Sequence, residues 1–158
     1  MFNIKKTNIM KTKLTIAIFT LVTLFSFSTT ASADNDRPIQ VSQFPTLAQQ
    51  TISKHFNGKQ VALAKLDNDL LDKSYDIIFT DGCKVEFDSK GNWTEIVCPT
   101  CGVPAELVPA AITQYVKQHY ASKKIHKIER SKKEYEVELN DGMEITFNTS
   151  FQVTDIDR

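Results

Sequence analysis

A thirteen-residue stretch of this chain occurs twice, and that repetition limits the possible folds more than any composition value. Tyr75-x-Ile77-x-Phe79-Thr80-Asp81-Gly82-Cys83-x-Val85-x-Phe87 returns as Tyr135-x-Val137-x-Leu139-Asn140-Asp141-Gly142-Met143-x-Ile145-x-Phe147. Upstream, the stretch from Pro45 to Phe56 returns from Pro109 to Tyr120, and downstream Trp93-Thr94-Glu95-Ile96 returns as Val153-Thr154-Asp155-Ile156. What recurs is an apolar pattern with turn glycines. No reactive side chain is shared, so the duplication concerns architecture more than an active site.

The N-terminus reads as an export signal. Lys5, Lys6, Lys11 and Lys13 precede an apolar run from Leu14 to Phe27, and Ala31-Ser32-Ala33 supplies a small-x-small cleavage site. The run falls short of the roughly 20 residues a bilayer-spanning helix needs. Met10 begins a more compact leader and is an alternative start to Met1. Cleavage after Ala33 leaves 125 residues, with no stable membrane insertion and a periplasmic or secreted destination. In that mature chain fifteen basic residues face nineteen acidic ones, a net charge of −4, which leaves no basic patch for a nucleic acid.

The pattern predicts an α+β protein of two tandem α-β4 units, with helices packed on one face of antiparallel sheet. Residues 34–43 form an N-terminal segment, 44–97 the first repeat, 98–107 a linker and 108–158 the second repeat. Each unit opens with a helix whose first turn accepts Pro45 or Pro109. Strands follow near Val61 to Leu66 and near Ile125 to Arg130, then a hairpin and a last short strand. A two-residue Asp-Gly turn would mix apolar and charged side chains on one face. A three-residue loop closed by Gly82 or Gly142 instead pairs Phe79 with Cys83, Ile77 with Val85 and Tyr75 with Phe87. Pairing Asp88 with Trp93 then sets Val85 opposite Ile96 and Cys83 opposite Cys98. Ile78, Trp93 and Val97 turn outward, and Glu136, Glu138, Glu144 and Thr146 make the outer face of the second unit acidic.

Two such units behind a leader, each with a Tyr-x-(Ile/Val)-x-(Phe/Leu)-x-Asp-Gly-x-x-(Val/Ile)-x-Phe hairpin, resemble the PepSY-like proteins exported by Bacteroidetes. Their fold is similar to that of the beta-lactamase inhibitor protein, a tandem repeat with helices on a single sheet. The resemblance covers nearly all of residues 39–158. It implies a binding or inhibitory module for a protein partner in the cell envelope, without catalytic residues or cofactor.

Cys98-Pro99-Thr100-Cys101 is the motif with reactive potential, since a Cys-x-x-Cys pair exchanges disulfides when a thiol pKa is depressed. Thiol–disulfide chemistry through Cys98 and Cys101 is therefore the enzymatic alternative. The motif lies between the repeats rather than in a βαβ unit, which favours a structural bridge. Cys83–Cys98 across two strands and Cys98–Cys101 in a short loop are the two candidate pairings, and either leaves one thiol over. No histidine stands at finger-like spacing from the cysteines, so no metal site is expected. His55 and His119 read as helix C-terminal residues favoured by the macrodipole. Asp67, Asp69 and Asp72 lack the turn glycine and distal glutamate of a calcium loop. Trp93, with Ile78 and Val97 beside it, is a candidate partner anchor. Half-burial of Trp93 against the neighbouring repeat is the competing reading.

Overall fold

The structure, a computed structural model, describes residues 37–68 and 73–158. The leader, its cleavage point, Asp69 and Asp72 lie outside the described residues. Nine strands form one antiparallel sheet in sequential order: β1 (Arg37–Pro38), β2 (Val61–Asn68), β3 (Lys73–Phe79), β4 (Lys84–Phe87), β5 (Trp93–Val97), β6 (Ile125–Arg130), β7 (Glu134–Leu139), β8 (Glu144–Asn148) and β9 (Val153–Asp157). Among the described residues, helices α1 (Thr46–His55) and α2 (Ala110–His119) accompany the sheet, each preceded by a 3₁₀ turn, at Val41–Gln43 and Ala105–Leu107. Among the described residues no helix is long and apolar enough to cross a membrane.

The expectation of two tandem α-β4 units is therefore corrected. The chain builds a single, mostly β, nine-stranded sheet, because the edge of β5 does not stay open. It pairs with β6 through Glu95–Glu129, Ile96–Ile128 and Val97–Lys127. An open strand edge leaves backbone donors and acceptors unpaired, and this ladder satisfies them within the chain. Two helices of ten residues are too short to stand alone in water and depend on the sheet beneath them.

The hairpin registers follow from burying the alternating apolar side chains on one face. Tyr75 lies opposite Phe87 and Ile77 opposite Val85, while Tyr135 lies opposite Phe147 and Val137 opposite Ile145. The Phe79 N–H donates to Cys83 O at 2.8 Å, and Leu139 N–H donates to Met143 O at 2.8 Å, so both loops have three residues. Gly82 and Gly142 adopt φ of +86° and +82°, a conformation open to glycine at little cost. Ile77, Val85, Phe87, Ile96, Ile128, Val137, Ile145 and Phe147 are wholly buried. Ala48 of α1, and Ile112 and Val116 of α2, cover that face. Phe56 stacks on Phe79 at 5.3 Å, and Tyr115 meets Phe147 edge-on at 5.4 Å.

The β4–β5 connection departs from the expected register at one point. A bulge sets Thr94 and Glu95 together against Glu86, so that Phe87, not Asp88, pairs with Trp93. Its loop is closed by Asp88 N–H to Asn92 O at 2.8 Å and Gly91 N–H to Asp88 O at 2.9 Å. Gly91 has φ +86° and presses on the start of α1. A Cβ there would lie 2.8 Å from both the Ala48 nitrogen and Pro45 Cβ. Gly58 has a similar φ of +83° with nothing within 4 Å. Urea unfolding of two variants separates these effects. Gly58→Ala is expected to cost about 1–2 kcal/mol from backbone strain alone, and Gly91→Ala about 2 kcal/mol more from the clash. Equal losses would mean that the loop does not brace the helix.

Candidate functional site

Two features stand out from the scaffold, a sulfur cluster at one end of the β4–β5 pair and a row of carboxylates across the uncovered face. Cys83 immediately precedes β4 and Cys98 immediately follows β5, so the register that pairs Lys84 with Val97 brings the two thiols together. Cys98 N–H donates to His126 O at 2.7 Å, and Gly102 N–H closes a turn on Cys98 O at 3.0 Å. That turn swings Cys101 back over Cys83, placing their sulfurs 3.7 Å apart. All three sulfurs lie within 4.8 Å of one another.

The cysteines are free thiols, Cys83 and Cys98 buried and Cys101 exposed. The turn after β5 brings the partners of both expected pairings, Cys83–Cys98 and Cys98–Cys101, into one cluster of three sulfurs without joining any two of them. Burial pushes the Cys98 thiol far above its ordinary value, and a hydrogen bond to Cys83 adds to the rise. Burial also raises Cys83. The Lys59 ammonium donates to Cys101 Sγ at 3.7 Å and pairs with Asp81 of the Asp-Gly turn. The hydrogen bond from Lys59 holds the Asp81 carboxyl below its usual range, and Asp81 in turn raises Lys59. Asp81 Oδ1 also accepts from Cys83 N–H at 3.1 Å. The second half of the chain carries a comparable ion pair, Lys123 to Asp141 at 3.0 Å, with Met143 where the first half has Cys83. The lysine therefore locks the turn in both halves, and the sulfurs distinguish the first. Lys59 escaped the sequence reading because it approaches the cysteines only through tertiary contact, whereas Asp81 was legible as a turn residue two positions before Cys83.

Trp93, Ile78 and Val97 do not share a face. Ile78, Lys84 and Val97 are directly opposed on the uncovered side. The bulge rotates Trp93 to the side of Phe87, where it is half-buried against the core. Arg130 lies over its ring at 4.3 Å, and the Arg130 Nε–H donates to Trp93 O at 2.6 Å. Trp93, Arg130, Tyr135, Leu107 and Gln114 border an open groove of about 870 Å³ beside α2. The half-burial reading is the one that the register supports.

On the uncovered face the ladder aligns Asp76, Glu86, Glu95, Glu129 and Glu136, each directly opposite the next across five strands. Like charges in directly opposed positions destabilise a sheet. Lys84 reaches Glu95 at 3.0 Å and Glu86 at 3.6 Å, while Lys127 reaches Glu129 at 3.2 Å and Glu95 at 3.6 Å. Lys65 meets Asp76 Oδ2 at 3.2 Å, but the buried Oδ1 has no hydrogen-bond partner among the described residues. Burial, reinforced by the Asp76 charge, raises the Glu86 carboxyl. Burial raises Glu136 as well, with Glu144 and Glu129 adding to it. The sequence showed the outward glutamates of the second half, but the continuous row required the β5–β6 register.

Residues 73–155 match the family described as "Putative beta-lactamase-inhibitor-like, PepSY-like". The chain belongs to the PepSY-like family. A solved Bacteroides thetaiotaomicron structure, described as a "putative calcium-regulated periplasmic protein", is 53% identical with a TM-score of 0.78. That match covers 80% of this chain and 99% of the other. A Bacteroides vulgatus protein described as a "putative periplasmic protein from DUF2874 family" is 52% identical over the same shares, with a TM-score of 0.78. A second Bacteroides vulgatus protein, described as periplasmic and of unknown function, is 38% identical with a TM-score of 0.73. It covers 78% of this chain and 99% of its own. No curated protein matches the sequence. These PepSY-like relatives are thus described as periplasmic.

The acidic row makes a pH-dependent contribution to stability. The folded Glu86 carboxyl titrates above its ordinary value of 4.5, so the folded state binds a proton before the unfolded state does. Its ionised form costs stability at neutral pH, and that cost disappears as pH falls through the raised value toward 4.5. Glu86→Gln is therefore expected to raise the urea midpoint at pH 7 and to lose that advantage near pH 4. An equal gain at both pH values would show that the row carries no electrostatic cost.

Proposed function

We propose that this chain is a non-catalytic exported binding module whose acidic sheet face engages a basic surface on a protein partner in the cell envelope. The observation that carries this reading is the row of directly opposed carboxylates from Asp76 to Glu136, in which Glu86 and Glu136 are raised above the ordinary carboxylate value. A cationic partner would relieve that repulsion, and complementary charge also steers encounter. The basic leader and the periplasmic description of the relatives support an exported address. Against attack by Cys98 in thiol–disulfide exchange stands the burial that raises its thiol, since the attacking species is the thiolate.

Calcium regulation, printed for the Bacteroides thetaiotaomicron relative, has one point of support in this chain. Carboxylate oxygens are the donors Ca²⁺ takes, and Asp76 offers an unpartnered Oδ1 beside Glu86. In this second reading Ca²⁺ at Asp76 and Glu86 would compete with a basic partner for the same face.

The test is partner affinity measured by calorimetry on a captured envelope protein. Glu86→Gln, Glu95→Gln and Glu129→Gln combined are expected to weaken binding about tenfold or more, and wild-type affinity is expected to fall as salt screens the face. Trp93→Ala should leave affinity unchanged, since Trp93 is on the opposite side. Binding that ignores both salt and the three glutamates would sink the proposal. Adding CaCl₂ to the same titration should weaken the wild-type complex if the calcium reading is right.

A further inference from the structure

We propose that Cys83, Cys98 and Cys101 form a binding site for a soft monovalent metal ion, Cu(I), in trigonal thiolate coordination. Three independent parts of the fold converge there: the end of the Asp-Gly turn, the residue after β5 and the tip of the following turn. Metal–sulfur bonds of about 2.3 Å around one ion place the sulfurs of a trigonal site about 4.0 Å apart. The three sulfurs already lie within 4.8 Å of one another, with Cys83 and Cys101 at 3.7 Å. Small side-chain rotations would therefore complete the site without moving a strand.

The donor set decides which ion fits. Thiolates select soft ions such as Cu(I) over the hard cations that carboxylates take. Structural zinc sites use four ligands, whereas among the described residues this cluster supplies three cysteines and no fourth metal-ligating side chain. Binding exchanges protons for metal: each thiol releases its proton to water as its sulfur bonds the ion. No electron moves, so no oxidant or reductant is required. Three thiolates and one Cu(I) carry a net charge of −2, which the adjacent Lys59 ammonium partly offsets.

The surroundings are those of a built site. Asp81 ties the cluster together, accepting from the Cys83 N–H and from Lys59. Such supporting contacts orient metal ligands and tune their affinity. Cys83 and Cys98 are wholly buried, which would shield a bound ion from water. Cys101 is exposed and borders a cleft of about 240 Å³ with Val103, Lys123 and Ile125, giving an ion a way in.

The experiment titrates the reduced exported chain with Cu(I), delivered anaerobically as its acetonitrile complex, against a chromogenic Cu(I) chelator. One ion per chain is expected, with a sulfur-to-copper absorption band in the near ultraviolet and loss of all three thiols from a thiol assay. Cys101→Ser is expected to weaken binding at least 100-fold with an unchanged urea midpoint, since Cys101 is exposed. Lys59→Met is expected to weaken it by about tenfold, the lower end of the range for supporting contacts. Equal affinity in wild type and Cys101→Ser would overturn the proposal. So would non-reducing peptide mapping of the exported chain that finds two of the three sulfurs covalently joined.

Discussion

Glu95, Ile96 and Val97 of β5 lie against Glu129, Ile128 and Lys127 of β6, and this short ladder makes one sheet of the chain's two halves. Without it each half would end in an open strand edge. With it, Ile96 and Ile128 bury against each other at the centre of a continuous core. The same pairing fixes what the uncovered side displays. Because side chains alternate, aligning Ile96 with Ile128 inward also aligns Glu95 with Glu129 outward. The acidic row is thus a consequence of core packing.

The ends of the hairpins are organised by a second constraint. In each half an Asp-Gly turn must place its glycine at positive φ, and the aspartate beside it becomes an anchor for a lysine from the segment after the helix. The lysine thus ties the end of helix α1 or α2 to a hairpin. In the first half this lock stands over Cys83 and Cys101, and it converts a turn device into a charged rim around three sulfurs. In the second half Met143 occupies the place of Cys83, and the lock has only its structural role. A sulfur cluster and a plain turn are therefore built on the same local geometry.

Bulges do the remaining positioning. One additional residue in β5 places Trp93 opposite Phe87 and under Arg130, and a corresponding irregularity pairs Phe147 with Val153. The consequence for Trp93 is large. It leaves the face that carries Ile78 and Val97 and becomes a wall of the groove beside α2. Aromatic stacking with Arg130 and a hydrogen bond to its own carbonyl hold it there. Carboxylates and lysines line up across the uncovered face beside Ile78 and Val97, which is why the proposed recognition is electrostatic.

Local sequence determined the parts of this protein that obey short-range rules. Asp-Gly followed by alternating apolar residues set the hairpin loops and their register, since a one-residue slip would expose every core side chain of a strand. Pro45 and Pro109 marked the helix starts, and Cys83 and Cys98 could be read as neighbours across β4 and β5. Tertiary structure alone decided how the halves join, because the partner of an open edge is chosen by the whole sheet. It alone placed Trp93, because a bulge in the backbone carries little residue signature. It also decided that Cys101 and Lys59 return to Cys83, since a turn after β5 and a segment after α1 meet only once the sheet and helices have packed.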